Sequence, residues 1–289
     1  MTDPLVRTTV AAAAARLGAA GVASARNDAE LLAAHALGVP RGRLLLVDAF
    51  TEAQLADYEA LITSRARRVP LQHLVGTVVA GGVELAVGPG VFIPRPETDL
   101  LIAWGLTRRL PAEAVVVDLC SGSGAVALAV AHARPAADVY AVEQDPAALE
   151  WLRRNAATRA AAGDRPIEVL AGDATDPAVT ATLDGQVDLV LCNPPYVPEG
   201  TSVPEEVSRF DPAAAVFGGP DGLAVIRGVV ARAAELLAPG GWVGIEHDDT
   251  HELAVVALLA AAGLAGPELH RDLAERPRFS TASRPGDGT

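Results

Sequence analysis

The sequence predicts an α/β protein, a doubly wound and mostly parallel sheet preceded by a small helical N-terminal domain. Three observations carry this. Near-continuous apolar runs recur at 115–120 (VVVDLC), 139–143 (VYAVE), 167–170 (IEVL), 187–192 (VDLVLC) and 242–247 (WVGIEH), as strands buried on both faces require. Helical stretches lie between them, and this alternation means parallel strands with helices on both faces. Before about residue 70 the apolar residues fall instead at helical spacing, and the change of texture is marked by two β-favouring runs around Gly81-Gly82.

Each element has a local reason. In TEAQLADYEALITSRARR, Leu55, Tyr58, Ala60, Leu61 and Ile62 sit at roughly helical spacing, and Thr51 with Gln54 three residues on predicts an N-terminal cap. Asn27 followed by Glu30 is a second capping-box candidate. Gly81-Gly82 supplies the positive φ angles of a tight hairpin, either an exposed one or a connector between two domains. Asp145 with Pro146 at the first turn predicts a helix start, and Pro239-Gly240 predicts the stop of LAVIRGVVARAAELLAPGG.

Composition narrows the function classes. The 289 residues are 50% apolar, 20% charged and only 4% aromatic, so the core is mainly small aliphatic side chains and disorder is excluded. All 23 basic residues are arginine, which excludes Schiff-base and P-loop lysine chemistry. The net charge of -13 falls entirely after residue 97, where 14 arginines face 27 acids, whereas residues 1–97 hold nine of each. General nucleic-acid binding is disfavoured by that sign. Cys120 and Cys192 have no close-spaced partners, so neither a disulfide framework nor a cysteine zinc site is expected, and no metal. The opening residues carry an early acid and no long apolar stretch, so neither a signal peptide nor a membrane span is expected, and the location expected is the cytoplasm.

The first strand runs into Asp118-Leu-Cys-Ser-Gly122-Ser-Gly124, a strand–glycine turn–helix junction that lets a ligand approach backbone amides closely. Glu143 ends the next strand about twenty residues on, where a carboxylate meets a ribose diol. Asp118 argues against a dinucleotide, because an acid there repels a pyrophosphate and suits an ammonium or sulfonium. S-adenosyl-L-methionine has that chemistry. Asp118, Cys120, Gly122, Gly124, Glu143 and Asn193 are the candidate cofactor residues, with Asp173 either accepting from the adenine amino group or being an exposed turn acid.

Asn193-Pro194-Pro195-Tyr196 follows the fourth strand and is the most specific signal. A conjugated NH2 group is a poor nucleophile and needs acceptors facing its two hydrogens. The Asn193 side-chain oxygen and the Pro194 carbonyl are two such acceptors, and Tyr196 can lie against the planar group. Asn193, Pro194 and Tyr196 are therefore the candidate catalytic residues.

These motifs resemble the class I S-adenosyl-L-methionine-dependent methyltransferases that modify planar nitrogens. With PLQHLVG (70–76), the hairpin and VFIPRPETDLL (91–101), the chain resembles the glutamine methyltransferase family of peptide chain release factors from about residue 25 to 284. The resemblance implies a Rossmann-like methyltransferase domain over 98–289, a β-hairpin connector over 74–97, and a helical substrate-recognition domain over 1–73. It implies methyl transfer to the side-chain amide nitrogen of the glutamine in the factor's Gly-Gly-Gln loop, with Arg95, Glu97 and Asn193, Pro194, Pro195 and Tyr196 meeting substrate. It also implies a monomer with release factors as partners, no stable nucleic-acid partner and no membrane. Val207, Phe210, Asp211, Pro212, Gly218, Gly219, Asp221, Gly222, Leu223, Glu246, His247, Asp272 and Arg278 resemble further family positions.

Four departures stand out: Ala174 in place of a tryptophan, Asp248 and Ala274 in place of glycines, and a hairpin without aromatics. Three other readings share parts of the pattern. Amino methyltransferases of adenine or cytosine use a similar loop, and the glutamine methyltransferase of a ribosomal large-subunit protein typically has Ser-Pro where Pro96-Glu97 follows Arg95 here. The third is a nucleoside-binding scaffold without turnover.

Overall fold

The computed structural model describes residues 5–286. Its helices are α1 (Val6–Ala19), α2 (Ala25–Leu37), α3 (Glu52–Ala66), α4 (Leu71–Val75), α5 (Thr98–Leu106), α6 (Ala125–Ala133), α7 (Pro146–Ala161), α8 (Pro177–Thr180), α9 (Glu205–Phe210), α10 (Ala213–Val216), α11 (Ala224–Leu236) and α12 (Glu252–Ala261). The strands are β1 (Thr77–Ala80), β2 (Val83–Ala86), β3 (Val115–Leu119), β4 (Asp138–Glu143), β5 (Glu168–Ala171), β6 (Val187–Cys192), β7 (Leu237–Glu246), β8 (Ala265–Arg271) and β9 (Pro277–Ser283). Two compact units result. One comprises residues up to 77 together with Val203–Phe210, the other Val78–Ser202 and residues 211 onward.

In the helical unit, Val6, Val10, Ala13 and Leu17 recur every three or four residues and bury one stripe of α1 in a core with Leu32, Phe50, Tyr58 and Ile62. Phe50 stacks on Tyr58 at 5.1 Å, and the Tyr58 hydroxyl donates to the Ala29 carbonyl at 3.0 Å. The Thr51–Gln54 capping box of α3 is formed in both directions. The Asn27 expectation is corrected: α2 already begins at Ala25, so Asn27 lies inside its first turn. Ser24 occupies the N-cap and donates to Asp28, while Glu30 pairs with Arg26 and Arg41. Val203–Phe210 had been expected to lie within the methyltransferase domain, yet it clusters with the helical unit. Arg65 and Arg68 both reach Glu206, at 2.9 and 3.0 Å, and Phe210 meets the His73 ring edge-on at 6.3 Å.

The second unit is built on a seven-stranded sheet of order β5-β4-β3-β6-β7-β9-β8, parallel from β5 to β7 and antiparallel where β9 meets β7 and β8. The strands feed two cores. Val116, Leu189 and Leu191 face a layer with α5 and α6, whereas Val117, Leu119, Val190 and Cys192 face α11 and α12. That is the period-two alternation of a strand covered on both sides. Asp145 caps α7 by accepting from Ala147 and Ala148. The stop expected at Pro239-Gly240 comes earlier, because Leu237 is already extended and β7 starts there. Pro239 biases Ala238 toward the extended region and has no N–H to give to the Glu235 carbonyl, so the helix cannot run up to it and ends at Leu236.

From Val78 on, the hairpin belongs to the second unit and is packed on it rather than free at the surface. Ala80, Val83 and Leu85 are buried against the alanine-rich α6, so small side chains fill the place where aromatics were absent. Gly81 and Gly82 have φ of +54° and +82°, and a Cβ on Gly81 would lie 2.4 Å from Ala129 Cβ. Buried Asn155 clamps the end of β2, accepting from Ala86 N–H at 2.8 Å and donating to the Ala86 and Ser123 carbonyls, each at 2.9 Å. Replacing it with alanine leaves three main-chain groups short of a partner. Asn155→Ala should cost about 3 kcal/mol and lower the melting midpoint by roughly 5–10 °C in calorimetry. An unchanged midpoint would remove the clamp.

The other departures are absorbed locally. Asp248 has ordinary extended angles and caps the short turn Asp249–His251. At the β8–β9 turn the positive φ, +60°, falls on Glu275 rather than Ala274.

Candidate active site

The carboxyl ends of β3, β4, β5 and β6 meet in register, with Leu119 beside both Val142 and Cys192 and Glu143 beside Ala171. This brings Asp118, the glycine turn, Glu143, Asp173 and Asn193 to one edge of the sheet. Cys120 has φ of +63°, and Gly122 and Gly124 follow at +55° and +91° before α6 starts. A Cβ on Gly124 would meet Leu152 Cδ1 at 2.7 Å, which is why the turn can lie so close to α7.

Glu143 is the strut of this turn. One carboxylate oxygen accepts from Gly122 N–H at 2.7 Å, and the other accepts from Gln144 and Asp145 N–H, each at 2.8 Å. Asp118 is buried at the end of β3. Its Oδ2 accepts from Ala127 N–H at 3.1 Å, while Oδ1 has no hydrogen-bond partner among the described residues. Burial pushes its pKa up to about 7, opposed by the Ala127 N–H. A buried carboxylate with an unmatched oxygen is suited to a cationic ligand group. Asp173 is exposed and closes an Asx turn by accepting from the backbone and hydroxyl of Thr175, each at 2.8 Å. Cys192 is buried beside Cys120, and burial holds its thiol well above the usual range.

At the end of β6, Pro194 and Pro195 are buried and the flanking Asn193 and Tyr196 are half-buried. Asn193 Nδ2 donates to Thr98 Oγ1 at 3.0 Å, and Thr98 Oγ1 donates to Glu246 Oε2 at 2.9 Å. The Tyr196 hydroxyl donates to the other oxygen of Glu246 at 3.1 Å. Burial and the adjacent Glu246 charge push the Tyr196 hydroxyl upward. Arg95 instead pairs with Asp211 and lies 4.9 Å from the Phe92 ring centroid, and Glu97 pairs with Arg278 at 3.6 Å. The residue of VFIPRPETDLL that touches Asn193 by a hydrogen bond is Thr98. The sequence reading gave Thr98 no part in the site and named Glu246 only as a family position, with no role. Their signals were a hydroxyl closing the RPET run and an acid at the end of the fifth strand run.

Two family descriptions match the chain: "PrmC N-terminal domain" over residues 8–76 and "Methyltransferase small domain" over residues 89–226. The release factor glutamine methyltransferase of Mycolicibacterium smegmatis is 54% identical over 96% of this chain and 98% of its own length. The chain belongs to the release factor glutamine methyltransferase family. Members from Mycobacterium leprae and Streptomyces coelicolor are 48% and 45% identical, covering 96% and 95% of this chain and 96% of each relative. The Thermus thermophilus 16S rRNA N2 G1207 methyltransferase, solved with AdoMet and guanosine, has a TM-score of 0.50 and 23% identity over 72% of this chain and 49% of that one. It shares the methyltransferase fold. Family membership sets aside the ribosomal-protein, nucleic-acid and scaffold readings. Among the described residues no cluster of His, Cys, Asp and Glu has the make-up of a metal site, and no helix is long and apolar enough to cross a membrane.

Proposed function

We propose that this methyltransferase transfers the methyl group of S-adenosyl-L-methionine to the side-chain amide nitrogen (N5) of the glutamine in the Gly-Gly-Gln motif of peptide chain release factors. The observation that carries it is the Asn193–Tyr196 loop, whose asparagine is tethered through Nδ2 so that Oδ1 is turned outward, in a chain of this family. Asn193 Oδ1 and the Pro194 carbonyl accept from the two amide hydrogens, which turns nitrogen density away from the loop and toward the electrophile. Pro195 stiffens the loop and Tyr196 borders the amide plane, while Arg95 and Glu97 shape the approach through their ion pairs with Asp211 and Arg278.

The residues at the sheet edge fit the cofactor. When bound, it supplies an electrophilic methyl carried on a sulfonium. Asp118, with its unmatched buried oxygen, suits the cationic end, the Cys120–Gly124 turn presents backbone amides, Glu143 faces the ribose diol and Asp173 the adenine. Ala174 offers no ring to stack on adenine. Release factors act at the ribosome, so the reading places the enzyme in the cytoplasm, and the charge of -13 argues against a stable nucleic-acid partner.

Recognition beyond a single amide falls to the helical unit. Leu45 and Leu46 are exposed there beside Arg41 and Arg43, in a domain without net charge, so contact there depends on shape and apolar area.

The direct test mixes purified protein, cofactor and recombinant release factor and locates a +14 Da change on the Gly-Gly-Gln peptide by mass spectrometry. Absence of that mass gain with folded, cofactor-binding enzyme would reject the reading. Glu143→Ala should weaken cofactor binding by on the order of tenfold or more, because it removes a diol acceptor and also unties Gly122 N–H. Calorimetry showing wild-type affinity would remove Glu143 from the cofactor site.

A further inference from the structure

We propose that Thr98 and Glu246 are positioning residues for methyl transfer, holding the Asn193 side chain with its amide oxygen toward the substrate and fixing Tyr196 beside it. The inference rests on Asn193 being the acceptor of the substrate amide hydrogens.

The argument is proton counting. A threonine hydroxyl has one proton, and Thr98 gives it to Glu246 Oε2 at 2.9 Å. Only lone pairs of Thr98 Oγ1 are left to face Asn193, 3.0 Å away, so the asparagine must present its NH2 there. Its Oδ1 is thereby turned to the opposite side. Tyr196 also has one hydroxyl proton, donated to Glu246 Oε1 at 3.1 Å. A single carboxylate thus sets the orientation of two side chains of the acceptor loop. Thr98 and Glu246 are each 2% exposed, so water cannot compete for these bonds. A carboxylate buried this deeply is unfavourable for folding, and an apolar residue would pack the same space without that penalty.

Protonation is the point at which the relay fails. Burial pushes Glu246 up to about 7; the Thr98 and Tyr196 hydroxyls and Arg278 hold it down, and Glu97 raises it. Cys192 also feels its charge, while the neighbouring His247 turns to Ser280 and the Asp248 carbonyl. A proton on Glu246 must be donated to Thr98 or Tyr196. If Thr98 accepts it, the threonine proton is directed at Asn193, which can receive it only by turning Oδ1 inward. Turnover should therefore fall as pH drops through about 7 and be full above it.

The test uses the full chain with 15N-labelled asparagine. In Thr98→Val, which keeps the shape, the Asn193 side-chain NH2 signal should shift and exchange faster with solvent. Its kcat should drop by on the order of tenfold or more with cofactor affinity within about twofold, and Thr98→Ser should restore both. At saturating S-adenosyl-L-methionine, which keeps the Asp118 titration out of kcat, the acidic limb of the wild-type kcat profile should vanish in Glu246→Gln, with a uniformly low rate. An Asn193 signal unchanged in Thr98→Val and in Glu246→Gln overturns the proposal, as does unchanged kcat in Thr98→Val. The Asn193 signal is read without substrate, so it decides positioning even if the release factor gains no methyl, a result that would reject the functional reading instead.

Discussion

Asn193→Ala should lower turnover on intact release factor by on the order of a hundredfold or more while changing cofactor affinity far less, because the Asn193 side chain bonds Thr98 and none of the other candidate cofactor residues. The amide nitrogen of glutamine is held unreactive by conjugation with its carbonyl, and the enzyme has to hold that group still with its N–H bonds directed away from the electrophile. Removing one oriented acceptor from a site of this kind costs roughly 3 kcal/mol of transition-state stabilisation. The cofactor side of the site is a separate construction. Asp118, the glycine turn and Glu143 are tied to one another and to β4 and α6 by their own hydrogen bonds, none of which passes through the Asn193 side chain. The loss should accordingly appear mainly in kcat, with calorimetric binding of S-adenosyl-L-methionine changed far less. The peptide mass assay on Asn193→Ala checks it, and near-full turnover would show that the amide is held by other groups.

The parts of this site that are contiguous in the chain were legible in the sequence. A strand buried on both faces reads as an apolar run, and a glycine turn or an Asn-Pro-Pro-Tyr loop carries its chemistry within a few residues, so Asp118–Gly124, Glu143 and Asn193–Tyr196 all fall at the predicted sheet edge. The link between Thr98 and Glu246 spans 148 positions and exists only once α5 and β7 are packed on the same sheet. Composition and spacing are blind to such a pair. The allegiance of Val203–Phe210 was hidden for a related reason. Glu205–Phe210 is a helix of six residues, too short to show an apolar stripe, and what holds it is charge pairing with distant arginines and a ring contact between Phe210 and His73. The start of α2 shows a local rule competing with itself. Asn27 with Glu30 and Ser24 with Asp28 both look like helix starts, and packing of Ala29, Leu32 and Ala33 into the core selects the earlier one. Propensity is a weak prior where two caps lie within one turn.

The second large effect is expected at Arg65. Its side chain is buried, donates to Asp28 at 2.7 Å, to the Val69 carbonyl at 3.1 Å and to Glu206 at 2.9 Å, and Asp28 is itself 2% exposed. Arg65→Met keeps much of the volume but leaves the Asp28 charge buried with, among the described residues, the Ser24 hydroxyl at 2.8 Å and the Asn27 amide at 3.5 Å as its remaining side-chain donors. Removing one partner of a buried ion pair costs about 3–5 kcal/mol, against a small cost for replacing both. The helical unit of Arg65→Met should therefore melt earlier and lose amide protection in α2 and α3, and Asp28→Leu added to it should recover part of the loss. The same substitution strips Glu206 of a nearer partner and loosens α9, which begins nine residues after Tyr196 in the chain. Segment 203–210 belongs to the helical unit, although the residues on either side of it belong to the methyltransferase unit. A change confined to the helical unit thus acts on the anchor of the strap that continues the acceptor loop. The kinetic expectation is a raised apparent Michaelis constant for intact release factor with cofactor affinity preserved. Deletion of the first seventy residues would be a poorer probe, because it would leave α9 without Arg65 and Arg68 and mix recognition with disorder of the strap. Hydrogen exchange followed by mass spectrometry measures the protection directly, and a loss below about 1 kcal/mol in Arg65→Met would mean that water reaches Asp28 and the pair is a surface one.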